Sequence, residues 1–156
     1  MRRTPWTTRQ IDLDFLEASE KFDYKKAEQL FAEGADINAV GKEVGGTALI
    51  MAFRQGISRK TSIRWARWLL EHGADPNIID PEGEHAMYYA VHEGVEGMRL
   101  ILDHGGDPNL SAEADGSDAL DHAALDSMAE SSVRNEYDDV YDLLVGAGAT
   151  IPEAKE

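Results

Sequence analysis

Two nearly identical hexapeptides, HGADPN from His72 and HGGDPN from His104, begin 32 residues apart in a chain of 156 residues. This repetition constrains the fold more than any other feature, because units of about 20–50 residues that recur in one chain stack into solenoids. Two related hexapeptides, EGADIN from Glu33 and AGATIP from Ala147, extend the series to four copies. We call these four hexapeptides the seams.

Apolar segments with helical spacing precede every seam. Directly before the seams stand AEQLFA, ARWLLE, RLILDH and VYDLLVG, and farther upstream stand DFLEASEKF, TALIMAFRQG, AMYYAVHEG and ALDHAALDS. Apolar residues that recur every three to four positions are typical of amphipathic helices. Each unit is therefore predicted to contain an inner helix, a turn, an outer helix and an extended loop. This order predicts an all-α helix–turn–helix solenoid with hairpin-like loops.

The seam residues have the properties that are needed to end a helix and start a turn. Glycine adopts the left-handed conformation without steric cost, and aspartate accepts hydrogen bonds from nearby backbone amides. The seam glycines are Gly34, Gly73, Gly105 and Gly148, and the seam aspartates are Asp36, Asp75 and Asp107. The seams are thus predicted to be structural boundaries between units.

These units resemble the ankyrin repeat, a unit of about 33 residues whose first helix begins with Thr-Pro-Leu-His. GGTALIMAF carries Thr47 and Leu49 at the family's threonine and leucine, and GEHAMYYAV from Gly83 and GSDALDHAA from Gly116 are weaker versions. The resemblance implies four repeats at residues 12–44, 45–82, 83–115 and 116–152, with an N-terminal extension at 1–11 and a C-terminal tail at 153–156.

The units depart from the family pattern in two respects. Ile50, Tyr88 and Asp121 occupy the position of the family's histidine. The seam glycines are 39, 32 and 43 residues apart (34 to 73, 73 to 105 and 105 to 148), so two of the intervals contain insertions. We expect these insertions near residues 57–62 and 127–135, in turns between inner and outer helices on one rim of the stack.

The charge distribution is the feature that says most about partners. The chain has 15 Lys and Arg against 30 Asp and Glu, a formal net charge of -15. Residues 1–78 hold 12 basic and 11 acidic residues, whereas residues 79–156 hold 3 basic and 19 acidic residues, a net of -16. This field disfavours nucleic acid, because phosphate recognition requires cations, and it attracts a basic protein surface. The alternative is that the acidic surface only confers solubility.

Composition also bears on location. The chain has no cysteine, which excludes disulfides and a cysteine nucleophile and fits a reducing compartment. No run of 18 apolar residues occurs, and MRRTPWTTRQ at the start lacks the apolar segment of a signal peptide. We therefore expect a cytoplasmic protein that contacts no membrane. Like-charge repulsion in the acidic half further predicts a monomer in the absence of a partner.

Several residues suggest chemistry, but structural roles explain them better. His72 and His104 at equivalent positions could share a metal, yet capping of two helix ends is the simpler interpretation. Asp115, Asp118 and Asp121 could weakly bind a cation but lack the loop geometry of calcium sites. Trp65 and Trp68 have the helical spacing of core residues rather than of a ligand cage. We expect no catalytic residue, no cofactor and no metal site.

The resemblance implies where a partner binds, because ankyrin proteins commonly use the concave side formed by loop tips and exposed positions of the inner helices. Carried over to this sequence, the predicted partner-binding residues are Glu43, Arg54 and Gln55 in the second unit, Glu82, Glu84, His92 and Glu93 in the third, and Asp115, Ser117, Leu125 and Asp126 in the last. The charged residues of this set are acidic apart from Arg54 and His92. We call this set the concave face.

Three classes of function follow from these observations. The leading hypothesis is a non-enzymatic module that binds and neutralises one basic protein partner, most specifically an immunity protein that inhibits a secreted bacterial toxin such as a nuclease. A generic adaptor or scaffold in a larger assembly is the alternative within the same class. The others are a carboxylate metal-dependent enzyme built on the aspartates around Asp118, and an accessory domain that associates with its own copy.

Overall fold

The computed structural model describes residues 4–55, 58–111, 118–130 and 135–150. In these residues, α-helices alternate between an inner and an outer row. The inner helices are α1 (Gln10–Glu20), α3 (Ala48–Arg54), α5 (Ala86–Ala90) and α7 (Ala119–Glu130), and the outer helices are α2 (Tyr24–Ala32), α4 (Arg59–Glu71), α6 (Gly94–Asp103) and α8 (Glu136–Gly146). A short 3-10 turn, Val91–Glu93, follows α5. The predicted all-α solenoid is confirmed.

The core is continuous along the stack because each helix pair packs on its neighbours. Helix α3 contacts α1, α4 and α5, while α5 contacts α3, α6 and α7, and α8 contacts α6 and α7. Leu69, Ile101 and Leu144 each stand four residues before a seam glycine, and all three are completely buried. A repeated sequence position thus supplies a repeated core layer, as expected when neighbouring units bury each other's apolar faces.

The inner helices α3, α5 and α7 begin with a capping side chain at the same repeat position. The Thr47 hydroxyl accepts a hydrogen bond from the Ile50 amide at 3.1 Å. The Asp118 carboxylate accepts one from the Asp121 amide at 2.9 Å, and the Asp121 carboxylate accepts one from the Asp118 amide at 3.1 Å. Such caps satisfy amides that have no partner within the helix.

His85 is the cap of α5, and it differs from its equivalents in being an ionisable group without solvent contact. Its Nδ1 atom accepts the Tyr88 amide at 3.4 Å, and the side chain is completely buried. Burial, reinforced by repulsion from His122, lowers the pKa of His85 to about 4. The folded protein therefore holds His85 neutral.

The first three seams each form a turn in which an aspartate carboxylate accepts a hydrogen bond from the amide two residues ahead. Asp75 accepts the Asn77 amide at 2.9 Å, and Asp36 and Asp107 make the equivalent bonds at the same distance. This bond fixes the backbone after the helix-ending glycine, so the aspartate acts as predicted. Gly73 has φ +98°, the left-handed conformation that ends α4.

The asparagine at the end of each of these three turns connects its seam to the next one. The Asn77 side chain donates to the Gly105 carbonyl at 2.9 Å and accepts the Asp107 amide at 2.7 Å. Asn38 makes the same two bonds to the seam at Gly73, and Asn109 makes them to the seam at Gly148. We call this series of paired hydrogen bonds the asparagine ladder.

The ladder begins on residues that precede the first seam. Asp12, completely buried, accepts the Asp36 amide at 2.8 Å, and Arg9 donates to the Gly34 carbonyl at 3.2 Å. Together, the side chains of Asp12 and Arg9 make the two hydrogen bonds to the first seam that a single asparagine makes to each later seam. Residues 4–9, predicted as part of an extension, lie against the loops, since the Thr7 amide donates to the Val40 carbonyl at 2.7 Å.

The predicted insertions are only partly in turns. Ser58 caps α4 and residues 59–62 already belong to that helix, while residues 127–130 belong to α7. The extra length is therefore taken up in part by longer helices, since α4 has 13 residues and α7 has 12, against 7 in α3. Residues 57 and 131–134 lie outside the described residues. The prediction that all of this length forms turns was wrong for the helical part.

The starts of α4 and α8 nevertheless meet on one rim. The guanidinium of Arg59 contacts the carboxylate of Glu136 at 2.7 Å and also donates to the His92 carbonyl at 3.3 Å. Gly94, with φ +69°, lies beneath this ion pair, and a Cβ atom there would stand 1.9 Å from the Glu136 carboxylate. Two repeats that are not neighbours in the stack are therefore in direct contact over the short third repeat.

We predict that Asn77→Ala lowers the free energy of unfolding by about 1–3 kcal/mol, because it leaves an amide and a carbonyl of the next seam without their partner. Chemical denaturation followed by circular dichroism measures this change. Asp103→Ala, a substitution of the exposed last residue of α6 directly before the same seam, is the control and is expected to change stability by less than about 0.5 kcal/mol. Equal effects of the two substitutions would contradict a connecting role for Asn77.

We further predict that His85 makes the fold sensitive to acid. The unfolded chain gains a proton on His85 near pH 6.5 and the folded chain only near pH 4, so stability is lost as pH falls between these values. The full loss is about 3 kcal/mol, from a pKa difference of about 2.5. His85→Thr keeps a cap of the Thr47 type and should remove this part of the pH dependence.

The comparison with the variant is needed because other groups titrate in the opposite sense. Burial raises the pKa of Asp118 and of Glu93, so their protonation favours the folded state as pH falls. Wild type and His85→Thr share both carboxyl groups. The difference between their free energies of unfolding therefore isolates the contribution of His85. Parallel plots of stability against pH for the two proteins would refute the assignment.

Candidate functional site

The second loop tip of the concave face is built around one buried carboxylate. Asp80, completely buried, accepts the amides of Glu82 and Glu84, both at 2.9 Å. The Gly83 amide donates to the Asp80 carbonyl at 2.9 Å, with Gly83 at φ +88°. This tight turn holds the Glu82 side chain in solvent and turns Glu84 back toward α3.

Arg54, one of the two positive residues predicted on this face, is engaged within the protein. Its guanidinium contacts the Glu84 carboxylate at 3.1 Å and donates to the Val44 carbonyl at 2.7 Å. It also lies 6.0 Å from the centre of the Tyr89 ring. Burial, then the hydrogen bond and the negative charge of Glu84, raise the pKa of Tyr89 to about 12. Arg54 therefore neutralises Glu84 and connects the first loop tip to the second.

Glu43, at the first loop tip, is exposed beside Lys42, and Gln55, half-buried, follows the last residue of α3. The tip is closed by a bridge between Gly41 and Gly46. With Arg54 engaged, Glu43 and Glu82 are the exposed carboxylates that the two tips present.

Glu93 is placed differently from the prediction. Its side chain is 6% exposed, and one of its carboxylate oxygens has no hydrogen-bond partner among the described residues. Burial raises the pKa of this carboxyl, while Arg59 and His92 oppose the shift. The 3-10 turn after α5 rotates residue 93 inward, toward Gly97, whose Cβ would stand 2.5 Å from that of Glu93. Glu93 therefore presents almost no surface to a partner.

The last repeat combines acidic and apolar groups. The Nδ1 atom of His92 lies 3.8 Å from the Asp126 carboxylate, so the two form an ion pair when the histidine is protonated. Leu125 is 64% exposed and Met128, one turn later on α7, is 84% exposed. Met128 was not predicted, although its spacing from Leu125 is the pattern of one helix face. Asp115 and Ser117 lie outside the described residues.

The residues that could suggest metal binding have structural partners. The Nδ1–H group of His72 donates to the Trp68 carbonyl at 2.6 Å, and that of His104 donates to the Leu100 carbonyl at 2.8 Å, so the capping interpretation is confirmed. Asp118 and Asp121 cap α7 as described above. Within the described ranges, no three His, Asp or Glu side chains are grouped as metal ligands.

Two tryptophans predicted as core residues lie in a row of stacked rings along α4. Trp65 is buried and stacks on Tyr24 at 4.5 Å between ring centres, and Trp68 stacks on Trp65 at 4.9 Å. His72 continues the row at 4.0 Å from Trp68. Tyr24, Trp65 and Trp68 line an open groove between α2 and α4, which sequence reasoning missed. None of the helices in the described parts of the chain is long and apolar enough to cross a membrane.

Comparison with known proteins agrees with this geometry. A family profile described as ankyrin repeats in three copies matches residues 15–112 and, in a second placement, residues 58–152. Ankyrin repeat protein nuc-2 of Neurospora crassa is 43% identical over 68 residues, which are 43% of this chain and 6% of that protein. The chain thus corresponds to a small part of this relative. Matched from Phe15 almost to its last residues, the chain belongs to the ankyrin repeat family, a generally non-enzymatic fold for protein–protein interaction.

Proposed function

We propose that this protein binds one basic protein partner through its concave face and thereby neutralises it. One observation supports the proposal most strongly: Arg54, the arginine of that face, is engaged by Glu84, so it does not offset the exposed carboxylates of the loop tips. The charge of the face is then set by residues such as Glu43, Glu82 and Asp126. A surface of this sign attracts basic partners and rejects acidic ones.

The most specific form of the proposal is an immunity protein that inhibits a secreted bacterial toxin. A nuclease is the preferred target class, because the site of a nuclease must be basic to hold phosphates, and an acidic surface can occupy such a site. Location in the cytoplasm, where such a toxin would act, belongs to the same proposal. Leu125 and Met128 add an apolar contact beside the acidic groups, and apolar contacts of this kind supply affinity at interface centres.

The first experiment is capture of the partner. The tagged protein is used to isolate bound proteins from its native cells at low salt and again at about 0.5 M salt, where exposed charges are largely screened. We expect a single basic partner whose recovery falls sharply at the higher salt. A neutral partner, or one indifferent to salt, would contradict capture by charge and leave only the general interaction function.

With the partner in hand, charge reversal tests the face. We predict that Glu43→Lys with Glu82→Lys slows association by about tenfold or more at 0.1 M salt, since steering by charge changes association rates by about 10–10³. Asp103→Lys, which changes an exposed charge on the outer helix α6, is the matched control. Equal rates for both variants, measured by surface plasmon resonance, would exclude the concave face.

The toxin version is tested separately by activity. An equimolar amount of this protein should abolish the nuclease or other toxic activity of the captured partner, and the charge-reversed variant should need a higher concentration. Full activity in the complex would exclude the immunity function while leaving partner binding intact. A generic adaptor function predicts that the partner is bound but keeps its full activity.

A metal-dependent enzyme is the candidate from another class. The two described aspartates of its proposed site, Asp118 and Asp121, each accept the other's backbone amide at the start of α7, which leaves them poorly placed to bind a cation together. We expect calcium, magnesium or zinc to change the melting temperature by less than about 1 °C, which is on the order of the measurement error. A larger rise requires an ion that binds the folded state. A saturable rise would support the enzyme instead.

A further inference from the structure

Three exposed cations on the outer helix α4 have no ion-pair or hydrogen-bond partner among the described residues: Lys60, Arg64 and Arg67. They stand together on one helix of a chain that has 30 acidic and only 15 basic residues. Four other cations of the described chain, Arg9, Lys21, Arg54 and Arg59, form ion pairs with carboxylates. Lys25, Lys26, Lys42 and Arg99 form none among the described residues, but they lie on other elements. The fold thus leaves a group of cations available on one helix, on the outer side of the stack.

These cations line the groove between α2 and α4, which has a volume of about 410 Å³. The groove is lined in addition by the aromatic rings of Tyr24, Trp65 and Trp68 and by the carboxylates of Glu28 and Glu71. We call it the outer groove. Arginines beside aromatic rings are typical of interface centres, because the rings supply apolar contact and the guanidinium groups bind carboxylates in pairs of hydrogen bonds.

The spacing of the cations fits an extended peptide. Positions 60, 64 and 67 share one helix face and span about 10 Å at 1.5 Å per residue. Side chains on one side of an extended chain recur about every 7 Å. Two or three alternate acidic residues of a peptide laid along α4 would therefore face the three cations.

The signs of the surrounding charges favour a peptide over a long polyanion. The acidic half of the chain, with its net of -16, repels nucleic acid and anionic membranes as extended surfaces, whereas a short segment meets only the local field. Glu28 and Glu71 also line the groove, and these carboxylates can accept the backbone N–H groups of a peptide. A phosphate backbone offers no such donors.

We propose that the outer groove is a second binding site, which holds an extended acidic segment of another protein. Alternate Asp or Glu side chains of that segment contact Lys60, Arg64 and Arg67, and an apolar side chain packs on Trp68. This site does not depend on the function proposed for the concave face. With both sites occupied, the protein joins a basic partner to an acidic one, which is the action of an adaptor.

The test uses the full chain and a fluorescein-labelled nonapeptide that alternates glutamate and alanine around one phenylalanine. Fluorescence anisotropy at about 50 mM salt measures binding, and a peptide with glutamine in place of glutamate serves as the matched probe. We expect the glutamate peptide to bind at least about tenfold more tightly. Arg64→Gln with Arg67→Gln should remove this preference. Arg99→Gln, an exposed arginine of α6 outside the groove, should change binding by less than about twofold.

The proposal is overturned if the two peptides bind equally, or if the Arg64→Gln, Arg67→Gln double variant and the Arg99→Gln variant behave alike. It is also overturned if a decathymidine oligonucleotide, or vesicles with anionic lipid, bind the groove more tightly than the glutamate peptide. Because the substituted arginines are exposed, the variants should fold, and equal melting curves establish this. Binding that is intact in the Glu43→Lys, Glu82→Lys variant would separate the outer groove from the concave face.

Discussion

The asparagine ladder is the interaction on which the rest of the stack depends. Packing of apolar faces provides most of the stabilisation, but such packing is tolerant of small shifts along the surface. The bonds from Asn77 to Gly105 and Asp107 set the position of one seam against the next to within the length of a hydrogen bond. Because the loop tips follow the seams, this register also determines how Glu43 and Glu82 are arranged on the concave face.

Much of this architecture was predictable from the sequence, because the signals of helix ends are local. The Gly-Ala-Asp seams and Thr47 mark boundaries through their own backbone chemistry, and the capping roles of His72 and His104 follow from position alone. The inward rotation of Glu93 was not predictable, since it depends on a 3-10 turn and on the space beside Gly97. The pairing of Arg54 with Glu84 was missed for a similar reason, because residues 30 positions apart meet only through the stack.

The cations of α4 are a second feature of the charge distribution, beside the division of charge between the two halves of the chain. Sequence counts placed the acidic excess in residues 79–156, and the structure adds that three cations of α4, Lys60, Arg64 and Arg67, are not paired with it. The helical spacing of Lys60, Arg64 and Arg67 is visible in the sequence and could have predicted a group of cations on one helix face. The sequence could not show whether these cations form ion pairs, because that depends on the positions of the neighbouring helices.

The ion pair between Arg59 and Glu136 has a consequence for how the stack comes apart. In a linear array whose units touch only their neighbours, the last repeat can detach while the others stay folded. Here a contact passes over the third repeat, so detachment of α8 also costs an interaction with the second. Both side chains are about half exposed, which limits this coupling to about 0–1 kcal/mol and makes it weaker in salt. Fraying of the C-terminal repeat is therefore tied to ionic strength, and the cooperativity of unfolding falls as salt rises.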